Sequence, residues 1–180
     1  MTTTATDGLP VLTPPLSGSR DHVTGPEGAP ASLVAFGSYG TPMSRHLGRV
    51  LRQLHETHLA TLRVAWRHLP DPQQHPRAVA LALAAEAAAE QGRFWSMHRE
   101  LLGLRHDDVE DLHAAARRAG LDFYRLLDRM RDAVGSDRIV ADGESAAASG
   151  VVSVPTLFVN GRRYSGELDA ATVWAALESS

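Results

Sequence analysis

The sequence predicts an α/β protein in which a β-α-β unit and a closing β-β-α unit flank an all-helical insertion. Two short apolar segments typical of strands lie before residue 70, with a helical pattern between them. From about 75 to 150 the apolar residues recur only at helical spacing, and a strand–turn–strand pattern follows. A β-α-β unit implies two parallel strands joined by a right-handed crossover. We therefore expect one mixed sheet whose faces are covered by helices.

The first half of the chain supplies the β-α-β unit. Residues 1–29 are rich in proline and glycine and are predicted to form an arm or an irregular lead-in, part of which can lie on the body through its leucines and valine. The domain proper then spans 30–180, with strands at 32–37 and 60–68. The helix that follows Pro42 carries an apolar stripe at helical spacing, which indicates a face packed on a core.

The second half supplies the insertion and the closing hairpin. Within 75–150, capping residues such as Asp122 divide the helical pattern into five helices. An Asn-Gly turn then joins strands at 155–159 and 162–165 into a hairpin. A last helix is predicted at 169–178, and it completes the β-β-α unit.

Composition narrows the range of functions. The chain has 180 residues, of which 43% are hydrophobic and 22% charged, as is typical of one globular domain. A net charge of −3 and a pI near 6.3 give no electrostatic case for binding nucleic acid or an anionic membrane. No apolar run approaches the ~20 residues of a membrane span, and residues 1–7 lack the pattern of a signal peptide. We therefore expect a soluble cytoplasmic protein with no nucleic-acid or membrane partner.

Cysteine is absent from the sequence. Disulfides, thiolate nucleophiles and cysteine-ligated metals are therefore excluded for this chain. Among the nine histidines, His55 and His58 have a spacing that can hold a metal ion, but no third ligand lies near them in the sequence, so we predict no metal site. His68, His75 and His98 are expected to pair with polar groups where the insertion meets the sheet.

The chain is organised around the segment 37–44, where the first strand runs into the first helix. Thr41 is a good N-cap, since its hydroxyl can accept from an unpaired backbone N–H group. Pro42 suits the first helical position, where a missing N–H group costs nothing. A helix N-terminus favours an anion, so chemistry at this turn is one interpretation. A plain strand–helix junction with a good cap is the other.

Several strings of the sequence resemble one known family. They are Arg67-His68-Leu69-Pro70, His75-Pro76, Gln91-Gly92-Arg93-Phe94-Trp95-Ser96-Met97-His98 and the segment 150–162 with its Val154-Pro155-Thr156. Together with the Pro-containing turn, they are similar to the DsbA-like branch of the thioredoxin superfamily over about residues 21–177. They look most like its cytoplasmic bacterial members, some of which are fused to sodium/proton antiporters. The resemblance implies a thioredoxin fold with an all-helical insertion, in which Pro155 is the cis-proline that faces the active-site turn.

The turn departs from the pattern of that family. Its redox motif is Cys-x-x-Cys, and here Thr41 and Ser44 fill the two cysteine positions. Disulfide exchange needs a thiolate that attacks sulfur, whereas a hydroxyl is far less acidic and two hydroxyls cannot form the bridging bond. Although the family consists of disulfide oxidoreductases, we expect no thiol–disulfide exchange and no catalytic residue at this site.

A binding function is one expectation for such a site. The resemblance implies a groove between the Thr41 turn and the Pro155 loop, where the backbone at Val154 can pair with an extended peptide or protein partner. Apolar side chains are expected at the rim of this groove, and no cofactor is needed. The predicted binding residues are Tyr39, Thr41, Pro42, Met43, Ser44, Val154 and Pro155.

The alternative is an enzyme that uses the thiol of a bound cofactor. Kappa-class glutathione transferases and hydroxychromene-carboxylate isomerases share this fold, and in them a Ser-Pro turn holds the thiolate of glutathione. Thr41-Pro42 is similar to that turn. The sequence therefore leaves open a transferase or isomerase with glutathione or another small thiol as cofactor and the Thr41 hydroxyl as the group that holds it.

Overall fold

The computed structural model describes residues 10–180, which form one five-stranded sheet and seven α-helices. The strands are β1 (His22–Thr24), β2 (Ala31–Gly37), β3 (Leu62–His68), β4 (Thr156–Val159) and β5 (Arg162–Arg163). The helices are α1 (Pro42–Thr57), α2 (Ala78–Ala89), α3 (Phe94–Gly103), α4 (Val109–Arg118), α5 (Phe123–Arg131), α6 (Ser136–Ala148) and α7 (Ala170–Glu178). The part of the predicted arm at 1–9 lies outside the described residues.

The sheet has the strand order β1-β3-β2-β4-β5, with β2 at its centre. β2 and β3 run parallel, with Leu33 opposite Val64, whereas β2 and β4 run antiparallel, with Leu33 opposite Val159. The crossover through α1 and the β4–β5 hairpin are the two units that the sequence predicts, and α2 to α6 form the insertion between them. The predicted α/β fold class, a thioredoxin fold with a helical insertion, is confirmed.

The structure adds one strand that the sequence pattern does not predict. β1 lies in the predicted irregular lead-in and pairs antiparallel with β3, with Val23 opposite Ala65. Three residues are too few to show an alternating pattern, so this strand is defined by its partner and not by its own sequence. Residues before it also dock on the body, because Val11 forms a bridge with Arg162 and Leu12 is only 3% exposed.

Both faces of β2 are buried, which places this strand at the centre of the core. Leu33 and Ala35 face a large apolar cluster that includes α1 and the insertion. Val34 and Phe36 face a smaller cluster formed with the lead-in and α6. Successive side chains of a strand point to opposite faces, so the two clusters lie on the two sides of the sheet. Helices and the lead-in therefore cover both faces.

β3 carries a fully buried charge, Arg67, on the side of the smaller cluster. Its guanidinium donates to both carboxylate oxygens of Asp21, at 2.9 and 3.0 Å, and to Oγ of Ser145 at 2.7 Å. The carbonyl oxygens of Pro14 and Pro15 accept the remaining two N–H groups. An arginine whose five donors are all engaged, with a bidentate carboxylate, leaves no unpaired buried charge. This group fixes the lead-in to the sheet and to α6.

A second buried carboxylate, Glu86 on α2, joins three further elements. Its Oε1 accepts from Nε2 of His22 in β1 at 2.9 Å and of His68 in β3 at 2.8 Å, and its Oε2 lies 3.3 Å from Nε of Arg138 in α6. Burial by itself would raise the pKa of Glu86, but the hydrogen bonds and charges of the two histidines lower that pKa to about 2. The carboxylate is therefore charged at neutral pH and holds the insertion on the sheet. His68 pairs with a polar group as predicted.

Candidate functional site

The candidate site begins at the turn between β2 and α1. Thr41 has extended backbone angles (φ −86°, ψ 137°), and its Oγ1 accepts from the backbone N–H of Ser44 at 3.3 Å, so it is the N-cap of α1. The same Oγ1 donates to the carbonyl oxygen of Ser38 at 3.0 Å. Pro42 is the first residue of the helix. The predicted cap is confirmed, and the single hydroxyl proton of Thr41 is already donated within the turn.

Ser44 is buried completely, on the inner side of the same turn. Its side chain has 0% exposure, and its Oγ accepts from the backbone N–H of Ser38 at 3.1 Å. Ser38 is itself buried, and its own hydroxyl accepts from the backbone N–H of Asp71 at 3.1 Å. The hydroxyls at both cysteine positions of the family motif therefore hold the turn together and do not lie on the surface.

Two glycines let other elements approach this turn closely. Gly40 has a φ of +86°, and a Cβ there would lie 2.3 Å from the ring of His75. A Cβ on Gly37 would lie 2.0 Å from the indole of Trp66. His75 comes from the start of the insertion and packs directly under the turn, a position that no spacing in the sequence predicts.

The Pro155 loop lies beside the turn because of the register of the sheet. Phe36 is opposite Thr156 in the antiparallel β2–β4 pair, so the end of β2 and the residues before β4 meet at the same edge. The Val154–Pro155 peptide bond is cis. Within residues 10–180, the backbone N–H and C=O groups of Val154 form no hydrogen bond. The unpaired backbone N–H and C=O groups of Val154 therefore lie next to the turn.

Exposed apolar side chains lie on the turn and just before the Pro155 loop. Met43 is 53% exposed and Val152 is 87% exposed, and Pro42 is exposed beside Met43. Val154 and Pro155 are half-buried. Val152 was not among the predicted binding residues. Its position just before the loop, in the string Val-Val-Ser-Val, is the feature of the sequence that could have indicated it.

Tyr39 does not belong to this surface. Its side chain is 1% exposed, so the prediction that it forms part of an apolar rim is wrong. The ring stacks on Trp66, and the hydroxyl lies 2.8 Å from Nδ1 of His98. Burial and the charge of Glu86 raise the pKa of Tyr39, and burial lowers the pKa of His98 to about 3, so both groups are neutral. The pair supports the turn from inside, and His98 joins the insertion to the sheet as predicted.

The other histidines near α1 serve separate contacts. His46 lies 2.6 Å from the carbonyl oxygen of Leu168 and is turned away from Ser44, so the two form no dyad. His55 bonds to Oγ1 of Thr24 at 3.1 Å, and His58 stacks on Trp174. In the described part of the chain, no group of three or more potential ligands converges on a possible metal position.

A family model described as thioredoxin matches residues 17–179 of the chain. The chain belongs to the thioredoxin family. This thioredoxin-family chain contains no cysteine, and Thr41 and Ser44 lie at the start of α1, where the DsbA-like resemblance places the two cysteines of the redox motif.

Relatives of this thioredoxin-family chain occur as parts of longer proteins. It is 39% identical over 178 residues to a protein of Salinispora tropica named Na(+)/H(+) antiporter NhaA 3, and 37% identical over 171 residues to Na(+)/H(+) antiporter NhaA of Herminiimonas arsenicoxydans. The alignments cover 98% and 94% of this chain but 27% of each relative. The chain thus spans about a quarter of the length of these relatives.

Solved structures show the same fold at low sequence identity. A thioredoxin-like oxidoreductase from Silicibacter pomeroyi superposes with a TM-score of 0.78 at 22% identity, covering 89% of this chain and 91% of that one. BdbD from Bacillus subtilis gives 0.78 at 17% identity, covering 96% and 95%. The thiol-disulfide exchange protein α-DsbA2 from Wolbachia pipientis gives 0.76 at 16% identity, covering 88% and 86%. The DsbA-like resemblance is confirmed.

Every helix in residues 10–180 is too short or too polar to span a membrane.

Proposed function

We propose that this chain is a redox-inactive member of the DsbA-like thioredoxin fold that binds an extended peptide or protein segment. The segment lies in the groove between the Thr41 turn and the Pro155 loop. The observation that carries this proposal is the backbone of Val154, which is unpaired beside a turn that contains no thiol. We include a cytoplasmic location in the proposal, and fractionation of expressing cells tests it.

The groove suits recognition through added strand pairing. Main-chain hydrogen bonds to an unpaired edge give affinity for any extended segment, and neighbouring apolar side chains select among such segments. Met43 and Val152 provide exposed apolar contacts, and methionine adapts its shape to different partners. The backbone N–H group of Met43 and the dipole at the start of α1 favour a carboxylate or another acceptor at the same end of the groove.

The contacts of Thr41 argue against the thiol-dependent enzyme. A hydroxyl that stabilises a bound thiolate must donate its proton to sulfur. Oγ1 of Thr41 already donates to the carbonyl oxygen of Ser38, and the residue is only 4% exposed. Holding a thiolate would therefore break a buried hydrogen bond and leave the Ser38 carbonyl without its partner.

The test uses charge placed at the rim of the groove. Met43→Asp and Val152→Asp are compared with Leu59→Asp, which changes an equally exposed apolar residue (60%) in a turn at the other end of α1. Met43 lies in the first turn of α1, where a carboxylate interacts favourably with the helix dipole, so its variant is expected to fold. Binding of short unstructured apolar peptides is measured by calorimetry and by amide chemical shifts.

We expect peptide-induced shifts centred on Val154, and about tenfold weaker binding for each groove variant, the loss of roughly one well-packed apolar contact. Leu59→Asp should bind like the unmodified chain. Peptides that leave the Val154 amide unaffected, or that bind all three variants equally, would refute the proposal.

A further inference from the structure

A cleft of about 400 Å³ lies between α1 and α3, over β1 and β3, and we call it the α1–α3 cleft. None of the seven predicted binding residues lines it, so it is separate from the groove at Pro155. Its volume is within the range of roughly 300–1,000 Å³ that is typical of small-molecule sites.

The walls of the α1–α3 cleft are positively charged. Four lining residues are arginines, and Glu56 is the one acidic residue among those that line it. In the described part of the chain, none of the four forms an ion pair, in contrast to the arginines that hold the lead-in and the insertion. The four are Arg45, Arg49, Arg52 and Arg99.

Two polar atoms in these walls are buried and unpartnered among residues 10–180. One is Nε of Arg45, whose Nη2 is fixed by the carbonyl oxygen of Leu104 at 2.7 Å. The other is Nδ1 of His55. Nε of Arg45 is a donor, and a buried donor without an acceptor costs free energy.

His98 adds a further donor to the cleft. It lines the cleft, and its Nδ1 lies 2.8 Å from the Tyr39 hydroxyl. That hydroxyl has no other acceptor among the described residues, which favours its donation to Nδ1 and a proton on Nε2 of the neutral ring. In this tautomer Nε2 presents an N–H group.

The base of the cleft is apolar. It is formed by side chains that belong to the main core or pack against it, so this part of the cleft cannot satisfy a polar ligand group. The residues are Leu51, Val64, Trp95 and Leu102.

We propose that the α1–α3 cleft binds a small amphipathic oxyanion, with its carboxylate or phosphate at the arginines and its apolar body over the base. Arginine forms bidentate hydrogen bonds with both kinds of oxyanion, and the apolar base excludes a fully hydrophilic anion such as citrate. Free carboxylic acids and phosphorylated lipids share this chemistry, and the binding experiment distinguishes them.

Octanoate, octyl phosphate, octan-1-ol and octylammonium are compared by calorimetry at concentrations below micelle formation. We expect saturable one-site binding of at least one of the two anions and about tenfold weaker binding of the alcohol and the cation, since each lacks the charge that the arginines attract. Tighter binding of octanoate would indicate a free carboxylic acid as the ligand, and tighter binding of octyl phosphate would indicate a phosphorylated lipid. Equal binding of alcohol, cation and anions, or no binding of either anion, would overturn the proposal.

Two variants locate the site. A Cβ added at Gly103, a lining residue at the end of α3, meets no atom within 4 Å, so a side chain can start there, and Gly103→Leu is expected to abolish binding by filling part of the cleft. The double variant Arg52→Gln with Arg99→Gln is expected to weaken binding about tenfold, because both side chains are exposed and screened by water. Arg117→Gln, an exposed arginine on α4 away from the cleft, is the matched control.

Thermal unfolding of each variant without ligand confirms that it is folded. Binding that persists in Gly103→Leu, or that Arg117→Gln weakens as much as the double variant does, would place the ligand elsewhere. Met43→Asp should leave anion binding unchanged, which keeps this result independent of the peptide proposal.

Discussion

Thr41 donates its only hydroxyl proton to Ser38 and accepts from Ser44, so one side chain caps α1 and closes the turn in front of it. Ser44 completes the turn by accepting from Ser38. At these two positions the DsbA-like motif has cysteines that react. In this chain Thr41 and Ser44 stabilise the turn. Substituting either residue should therefore lower the free energy of unfolding and should not change a catalytic rate.

Thr41→Val tests this scaffold role. Valine keeps the shape but removes both hydrogen bonds, so we expect the free energy of unfolding to fall by about 1–2 kcal/mol in denaturant titrations. Thr41→Ser keeps the hydroxyl and should retain most of the stability. Calorimetry should show no glutathione binding to either variant or to the unmodified chain. Glutathione binding that depends on the Thr41 hydroxyl would instead support the transferase or isomerase alternative.

The residues of the turn show which features a sequence can specify. The cap was predictable because Thr-Pro before an apolar stripe is a local signal. The burial of Tyr39 was not, since its pocket is formed by Trp66 from β3 and His98 from α3, which only the fold brings together. His75 lies under Gly40 for the same reason.

Among the elements, α2 is fixed to the sheet by a single carboxylate that contacts β1, β3 and α6. The pKa of Glu86 is lowered from 4.5 to about 2. A group with a depressed pKa stabilises the fold fully above its unfolded pKa and loses that contribution as the pH falls toward the folded pKa. The stabilisation from Glu86 is therefore present above about pH 4.5 and is lost between about pH 4.5 and 2.

Glu86→Gln should reduce this loss of stability at acid pH. We expect the variant to lose roughly 3 kcal/mol of unfolding free energy at neutral pH and to show a correspondingly smaller decrease in stability between pH 4.5 and 2. Glu100→Gln breaks a more exposed ion pair with Arg118 and is the control, with an expected loss below about 1 kcal/mol. Equal effects of the two substitutions would contradict the assigned role of Glu86.

The elements also differ in how far their sequences predict them. The helices of the insertion were predictable from their long periodic patterns and from a cap at Asp122, whereas the sequence left the cap of α4 open between Asp107 and Asp108, and the structure shows Asp108. In β3, apolar Leu62, Val64 and Trp66 alternate with a second set of residues, Arg63, Ala65 and Arg67, a pattern typical of a strand with one buried face. The structure buries Ala65 and Arg67 of the second set as well. Arg67 can lie there only because Asp21 and Ser145 approach from segments far away in sequence.

The whole molecule has a DsbA-like thioredoxin fold and contains no cysteine. Restoring both cysteines, with Thr41→Cys and Ser44→Cys, tests whether that fold still supports thiol–disulfide exchange. The helix N-terminus lowers the pKa of a thiol, so the double variant should accelerate insulin reduction by dithiothreitol.

The unmodified chain should leave that reaction at its uncatalysed rate. Thr41→Cys alone is the matched control, because one thiol cannot form the intramolecular disulfide of the catalytic cycle. Acceleration by the unmodified chain would contradict the proposal of redox inactivity. A double variant without activity would show that the groove differs from that of the DsbA-like oxidoreductases in more than the two cysteine positions.

The central position of β2 has a consequence for how the chain is made. β2 is complete once residue 37 has been synthesised, but its two neighbours in the sheet are residues 62–68 and 156–159. During translation, one edge of this apolar strand therefore stays unpaired until residues 156–159 have left the ribosome. An unpaired apolar edge is a template for aggregation, so nascent chains that stall within the helical insertion are the species most in need of a chaperone.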